Sequence, residues 1–289
     1  MMYDLFVAPF AEFVFMRRAL VGAVAIALGG APVGVFLMLR RMSLTGDAMA
    51  HAILPGAALG YLVAGLSLPA MTLGGIVAGT LVAVSAGLVA RFTALKEDAS
   101  LAAFYLISLA LGVTLVSAKG SNVDLLHVLF GTVLALDDAA LVLLAGIATV
   151  TLATLALLYR PLVLECVDPT FLRSVSRAGG PTHLVFLALV VLNLVGGFQA
   201  LGTLLAVGLM MLPAAASRFW SQDVTAMVAV ATTLAMVSGA LGLVLSYHAE
   251  SPSGPAIILV AGGAYLASMA LGREGGLLWL ARPGKHLEA

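Results

Sequence analysis

Charge is what this chain most lacks. Aspartate, glutamate, lysine and arginine make up 10% of its 289 residues, where a soluble domain carries about 25%. So few charges cannot cover a surface for water, which excludes an ordinary soluble protein. Those present cancel, 14 basic against 14 acidic, so no basic field points to nucleic acid. Cysteine occurs once, at Cys166, which excludes an intramolecular disulfide and a cysteine-built metal cluster. The phosphate-cradling Gly-x-x-x-x-Gly-Lys-Ser/Thr loop is missing, as are His-Glu-x-x-His and Gly-x-Ser-x-Gly. ATP hydrolysis through that loop, and the protease and esterase chemistries, have no carrier here. A cleavable signal peptide is not expected either, because Arg17 and Arg18 follow an apolar stretch and Asp4 and Glu12 precede them.

What is present is apolar. Hydrophobic residues make up 62% of the chain and mean hydropathy is +1.13. They fall in long unbroken runs of Leu, Ala, Val and Gly, without the alternation of a membrane β-barrel. A span needs about 20 apolar residues, so the expected fold is an all-α, polytopic transmembrane bundle of about eight or nine spans in one domain, residues 1–289.

The runs are Ala19–Leu39, Ser43–Leu66, Ala70–Val89, Ala99–Val116, Asp137–Tyr159, Val224–Tyr247 and Pro255–Leu271. Two shorter ones, His183–Phe198 and Leu201–Ala216, are expected to part at Gly196-Gly197. Val123–Leu136, with His127, is short and amphipathic and is not counted as a span. The longest polar loop is Arg160–Pro181, and the polar tail holds Trp279, a candidate interface anchor.

Lysine and arginine favour the cytoplasmic side. If the runs alternate, Arg40-Arg41, Arg91, Lys96, Arg160, Arg173, Arg177, Arg218 and Arg273 share one side, which becomes cytoplasmic. Nine spans then place the N-terminus outside. Arg17-Arg18 and Lys119 oppose the scheme, and an N-terminal segment lying in the interface would absorb the former. Among the 31 glycines, Gly56-x-x-x-Gly60 and Gly75-x-x-x-Gly79 let helix backbones approach, as in a tight bundle or an oligomer.

Ionisable groups within a span are costly and need a reason. Asp47 and His51 are four residues apart, hence on one helix face. Counted from Arg41 at 1.5 Å per residue, they lie roughly 9 and 15 Å along the helix. The second depth is near the middle of a hydrocarbon core about 30 Å thick. Pro55 cannot donate to the carbonyl of His51, so a kink is expected there, freeing an oxygen beside the imidazole and carboxylate. Such donors suit Zn²⁺ or Mn²⁺. One copy supplies two side chains, and a symmetric homodimer would supply four. The competing reading makes Asp47 interfacial and His51 a hydrogen-bond partner of a neighbouring helix. His183, at a run boundary, is expected at the interface. Asn193 and Gln199 are expected to bond between helices, and the 12 methionines to serve packing.

Several separated segments carry a family resemblance. They are Arg40-Arg41-Met42-Ser43-Leu44-Thr45-Gly46-Asp47-Ala48-Met49-Ala50-His51 through Pro55-Gly56, then Lys96-Glu97-Asp98, then Asp124–Gly131, Asp168-Pro169, and Gly202-Thr203-Leu204-Leu205 through Leu212–Arg218. In this order they resemble the membrane permease of bacterial ABC importers for zinc, manganese and iron. Asp137-Asp138 departs from the short polar turn usual there.

The resemblance implies an inner-membrane permease subunit, not itself an enzyme, and no permanently bound cofactor. The cargo would be a divalent metal, zinc first and manganese next, moved by alternating access. The implied partners are a second permease copy, a cytoplasmic ATP-binding subunit and an extracytoplasmic metal-binding protein. Asp47 and His51 would line the metal path. Residues 160–181 would form the cytoplasmic coupling loop. In it Asp168, Pro169 and Thr170 read as a helix start. Phe171, Leu172 and Val175 would present an apolar face to the ATPase, flanked by Arg173 and Arg177. The alternatives are a proton-driven secondary transporter with Asp47 as carrier, an ABC permease for a larger chelate, and an intramembrane enzyme. The chelate would want a wide apolar channel, and the enzyme lacks a catalytic motif.

Overall fold

A computed structural model describes the chain except residues 1–2, 4–5, 66, 96, 119–135, 169–170, 173, 175, 177–178 and 281–289, and the side chains of 90–91, 97, 116–118, 199–200 and 279–280. The expectations for Lys119, His127, Gln199, Pro169, Arg173, Val175, Arg177 and Trp279 fall there. The described residues form thirteen helices: α1 Ala8–Glu12, α2 Val14–Leu39, α3 Ser43–Ala52, α4 Leu54–Ala64, α5 Leu68–Phe92, α6 Glu97–Ala118, α7 Asp138–Leu157, α8 Tyr159–Val167, α9 Gly179–Leu201, α10 Thr203–Ser217, α11 Val224–Ala249, α12 Ser253–Leu271 and α13 Leu277–Leu280. Lipid offers no hydrogen bonds, so an apolar run must satisfy its own backbone, which a helix does. Asp137 caps α7 by accepting from the Ala140 N–H at 2.8 Å, and Asp223 caps α11 through the Ala226 N–H at 2.9 Å.

Eight segments are long and apolar enough to cross a membrane, with α3 and α4 together making one of them. The fifteen-residue α10 is a shorter ninth. Arg40 and Arg218 lie at one end of the bundle. Arg40, at the end of α2, meets α8 and the start of α9. Leu39, Arg218, Gln222 and Glu274 line one hollow beside them. At the opposite end Phe13 packs on Tyr247, with ring centroids 5.7 Å apart, and Arg18 pairs with Asp138 at 2.8 Å.

Three expectations are corrected. The first span starts at Val14, not Ala19, so Arg17 and Arg18 lie in helix α2 and not in a separate interfacial segment. The Asp138 carboxylate, one of the Asp137-Asp138 pair, offsets the charge of Arg18. The break between α9 and α10 lies at Gly202, not Gly196-Gly197. Gly202 has φ 88°, a left-handed conformation that only glycine adopts without cost. Gly196 and Gly197 stay within helix α9, and Ile147 and Ala206 occupy the space a Cβ would need there. The stretch 160–181 is not simply a loop: residues 160–167 belong to helix α8, where Pro161 sits in the tolerant first turn, and 179–181 begin α9.

Helix α2 is the central post. Of its most apolar stretch, 72% is buried, against 22% for the corresponding part of α6. The outer helices leave leucine and valine for lipid. Close approach relies on small residues. A Cβ on Gly56 would collide with the carbonyl of Gly74, and one on Gly74 with the carbonyl of Gly56. The Gly56-x-x-x-Gly60 pattern thus serves a contact of α4 with α5 inside one chain. Asn193 joins α9 to α7, donating to Thr151 Oγ1 at 2.8 Å, as expected of it.

Candidate functional site

Helices α3 and α4 carry the polar residues of the second span. The expected kink is present as a full break. Ile53 separates the helices and Pro55 occupies the first turn of α4, where its missing N–H is harmless. The freed oxygens differ from expectation. The N–H of Ile53 is directed to the His51 carbonyl. The next carbonyl, of Ala52, accepts from Ser108 Oγ of α6 at 2.8 Å. Gly112 of α6 lies against Pro55, so the break is buttressed from one side.

Asp47 and His51 share a face of α3 as their spacing required. His51 Nε2 is 4.0 Å from Asp47 Oδ1, an ion-pair distance for a charged imidazole but too long for a hydrogen bond. The Asp47 side chain is 70% exposed and that of His51 28%. The imidazole lies 6.3 Å from the Tyr105 ring, and its Nδ1 is buried with no protein partner. Asp47, Thr45, Asp98 and Tyr105 line a common hollow of about 170 Å³, which adds Asp98 of the Lys96-Glu97-Asp98 segment to the surroundings of Asp47. No group of three or more His, Cys, Asp or Glu able to hold a metal occurs among the described residues. Asp47 and His51 are thus a pair of side chains and not a complete ligand set within one chain.

A second polar cluster was not foreseen. Arg40 donates to Glu165 Oε1 at 3.0 Å and also to Nδ1 of His183. His183 Nδ1 is 3.7 Å from Glu165 Oε1. The guanidinium also lies over Phe186, 4.9 Å from its ring centroid. His183 lies in the first turns of α9, at the end of its span, with its side chain turned into the protein and 17% exposed. Glu165 is 125 positions from Arg40 and His183 is 143, and no helical period links such separations. The nearest signal was a lone glutamate in the apolar stretch Leu162–Val167. Beside it, burial pushes the Cys166 thiol up to about 11, with Arg40 lowering and Glu165 raising it.

The segment after α8 starts as expected. Asp168 Oδ1 accepts from the Phe171 N–H at 2.9 Å, an N-cap bond. The apolar face is corrected: Phe171 is exposed, but Leu172 is buried in the protein's own core.

The ABC 3 transport family model matches residues 12–272. The manganese import system permease protein ScaB of Streptococcus parasanguinis is 32% identical over 263 residues, covering 91% of this chain and 92% of that one. The chelated iron transport system membrane protein YfeD of Yersinia pestis is 30% identical, covering 90% and 86%. Among solved structures, PsaBC from Streptococcus pneumoniae in complex with Fab superposes with a TM-score of 0.84 at 28% identity, covering 97% of this chain and 99% of that one. With eight apolar spans and a match over nearly its whole length, the chain is an integral membrane protein of the bacterial plasma membrane and belongs to the ABC 3 transport family.

Proposed function

We propose that this chain is the membrane-spanning subunit of an ATP-driven importer. It moves a divalent first-row metal through a path walled by Asp47 and His51 of two facing copies. The observation that carries the reading is the pair of Asp47 and His51. A carboxylate 70% exposed on a transmembrane helix is costly against lipid, but not against a water-filled path or a second copy. Two copies bring four donors, a full set for a divalent ion. Manganese replaces zinc as the favoured cargo. ScaB is named for manganese and YfeD for chelated iron, and a carboxylate–imidazole set does not itself discriminate among these metals.

An ATP-hydrolysing partner would bind the end that gathers Arg40, Arg160, Arg218 and Arg273, which the charge rule makes cytoplasmic. Exposed Phe171, on the turn capped by Asp168, is the contact we assign to that partner, with Pro169, Arg173 and Val175 beside it in sequence. An external metal-binding protein would deliver the ion at the opposite end. Alternating access follows if ATP-driven closure of the partner rocks the helices about the path.

Mn²⁺ uptake by proteoliposomes holding the permease and its ATPase tests the site. Asp47→Ala and His51→Ala are expected to abolish uptake while membrane insertion and ATPase assembly persist, and normal uptake by both variants overturns the assignment. Uptake that continues without the ATPase would favour a proton-driven carrier. Phe171→Glu is expected to release the ATPase in a pull-down, and retained binding removes the contact assigned to it.

A further inference from the structure

The buried cluster joins two regions that the proposed function needs to move together. Arg40 closes α2 at a rigid corner. The N–H of Arg41 bonds to the Met38 carbonyl at 3.0 Å and that of Met42 to the Leu37 carbonyl at 2.9 Å. Arg41 itself is left-handed at φ 58°. This pair of bonds is a Schellman motif with arginine where glycine is usual. Ser43 then begins α3, so the guanidinium is held a few rigid residues from Asp47. At the other end, Glu165 lies three residues before Asp168, the cap of the turn that exposes Phe171. His183 brings in the first turns of α9.

The cluster is expensive for what it gives to stability. Arg40 and Glu165 are 9% and 5% exposed, and each keeps one buried polar atom without a protein partner, Nη1 and Oε2. Buried ion pairs of incomplete satisfaction often stabilise less than apolar residues of the same shape. The two orphaned atoms suit an arrangement in which a second set of bonds forms as the first shifts. The guanidinium cannot accept a hydrogen bond, so Nδ1 of His183 is the acceptor. The ring then carries its proton on Nε2, leaving one positive and one negative charge to hold each other.

We propose that Arg40, Glu165 and His183 form a positioning linkage that carries movement of the ATPase-contacting segment to the helix bearing Asp47 and His51. The three residues touch neither metal nor nucleotide and act through the corner at Arg41. The linkage rests on the importer reading above.

The test is the ratio of Mn²⁺ ions taken up to ATP hydrolysed, in liposomes holding the complete transporter with its external binding protein. The paired change Arg40→Leu/Glu165→Leu removes both charges and leaves neither uncompensated. The ratio is expected to fall at least about fivefold while ATP hydrolysis and Mn²⁺ binding without nucleotide stay near normal. Glu165→Gln, which keeps the shape, is expected to lower it in the same direction and serves if the pair does not assemble. A normal ratio in whichever variant assembles, even at reduced yield, means the cluster only holds the fold and overturns the linkage. Failure of the unaltered transporter to couple ATP to Mn²⁺ uptake would remove the importer reading and the linkage with it. That result is distinct from coupling that survives loss of the cluster.

Discussion

Two sites in this chain pair an acidic side chain with a histidine, and they are built in opposite ways. At Asp47 and His51 the groups stand 4.0 Å apart, and the carboxylate is mostly exposed. At Arg40, Glu165 and His183 the groups close to within 3.0–3.7 Å in nearly complete burial. A carboxylate already neutralised by a guanidinium has little attraction left for a cation. One left open has that attraction but no stabilising partner. The first arrangement suits receiving and releasing an ion and the second suits holding helices, although only about seven residues separate Arg40 from Asp47.

Stability measurements can break this contrast. Glu165→Ala strands a buried arginine and is expected to cost about 3–5 kcal/mol, read by denaturant titration in micelles. Asp47→Ala is expected to stay within about 0.5 kcal/mol. Similar losses at both positions would erase the distinction between a closed and an open site. Next in size, Gly56→Ala forces α4 from α5 and is expected to cost about 1–3 kcal/mol. Its effect should reach the open site, lowering Mn²⁺ uptake with the cluster intact, and an unchanged melting curve would show that the crossing has slack. Ser108→Ala strips the Ala52 carbonyl of its partner beside the broken helix, a loss of about 1 kcal/mol. No change there would mean that the break needs no buttress. Smallest is Arg41→Gly, which relieves a left-handed arginine and is expected to stabilise by about 0.5 kcal/mol. Destabilisation would locate the value of Arg41 in its side chain and not in the corner.

Much of this was legible locally. That Asp47 and His51 share one helix face followed from a spacing of four residues, and the break from one proline. The Asp168 cap was readable because it joins residues three apart. Two misreadings involved the rest of the molecule. Gly196-Gly197 looked like a breaker, but the pair lies within α9 with Ile147 and Ala206 against it. Leu172 looked available to a partner until it proved buried.

The sequence by itself determined that the chain crosses lipid repeatedly as helices, and which residues share a helix face. Both depend on the composition of single runs and on a fixed 3.6-residue turn. Only the tertiary structure decided that Arg40, Glu165 and His183 meet and that Arg18 finds Asp138. Those pairings join helices distant in the chain, and their positions are set by how small residues let backbones pack, which no local pattern encodes.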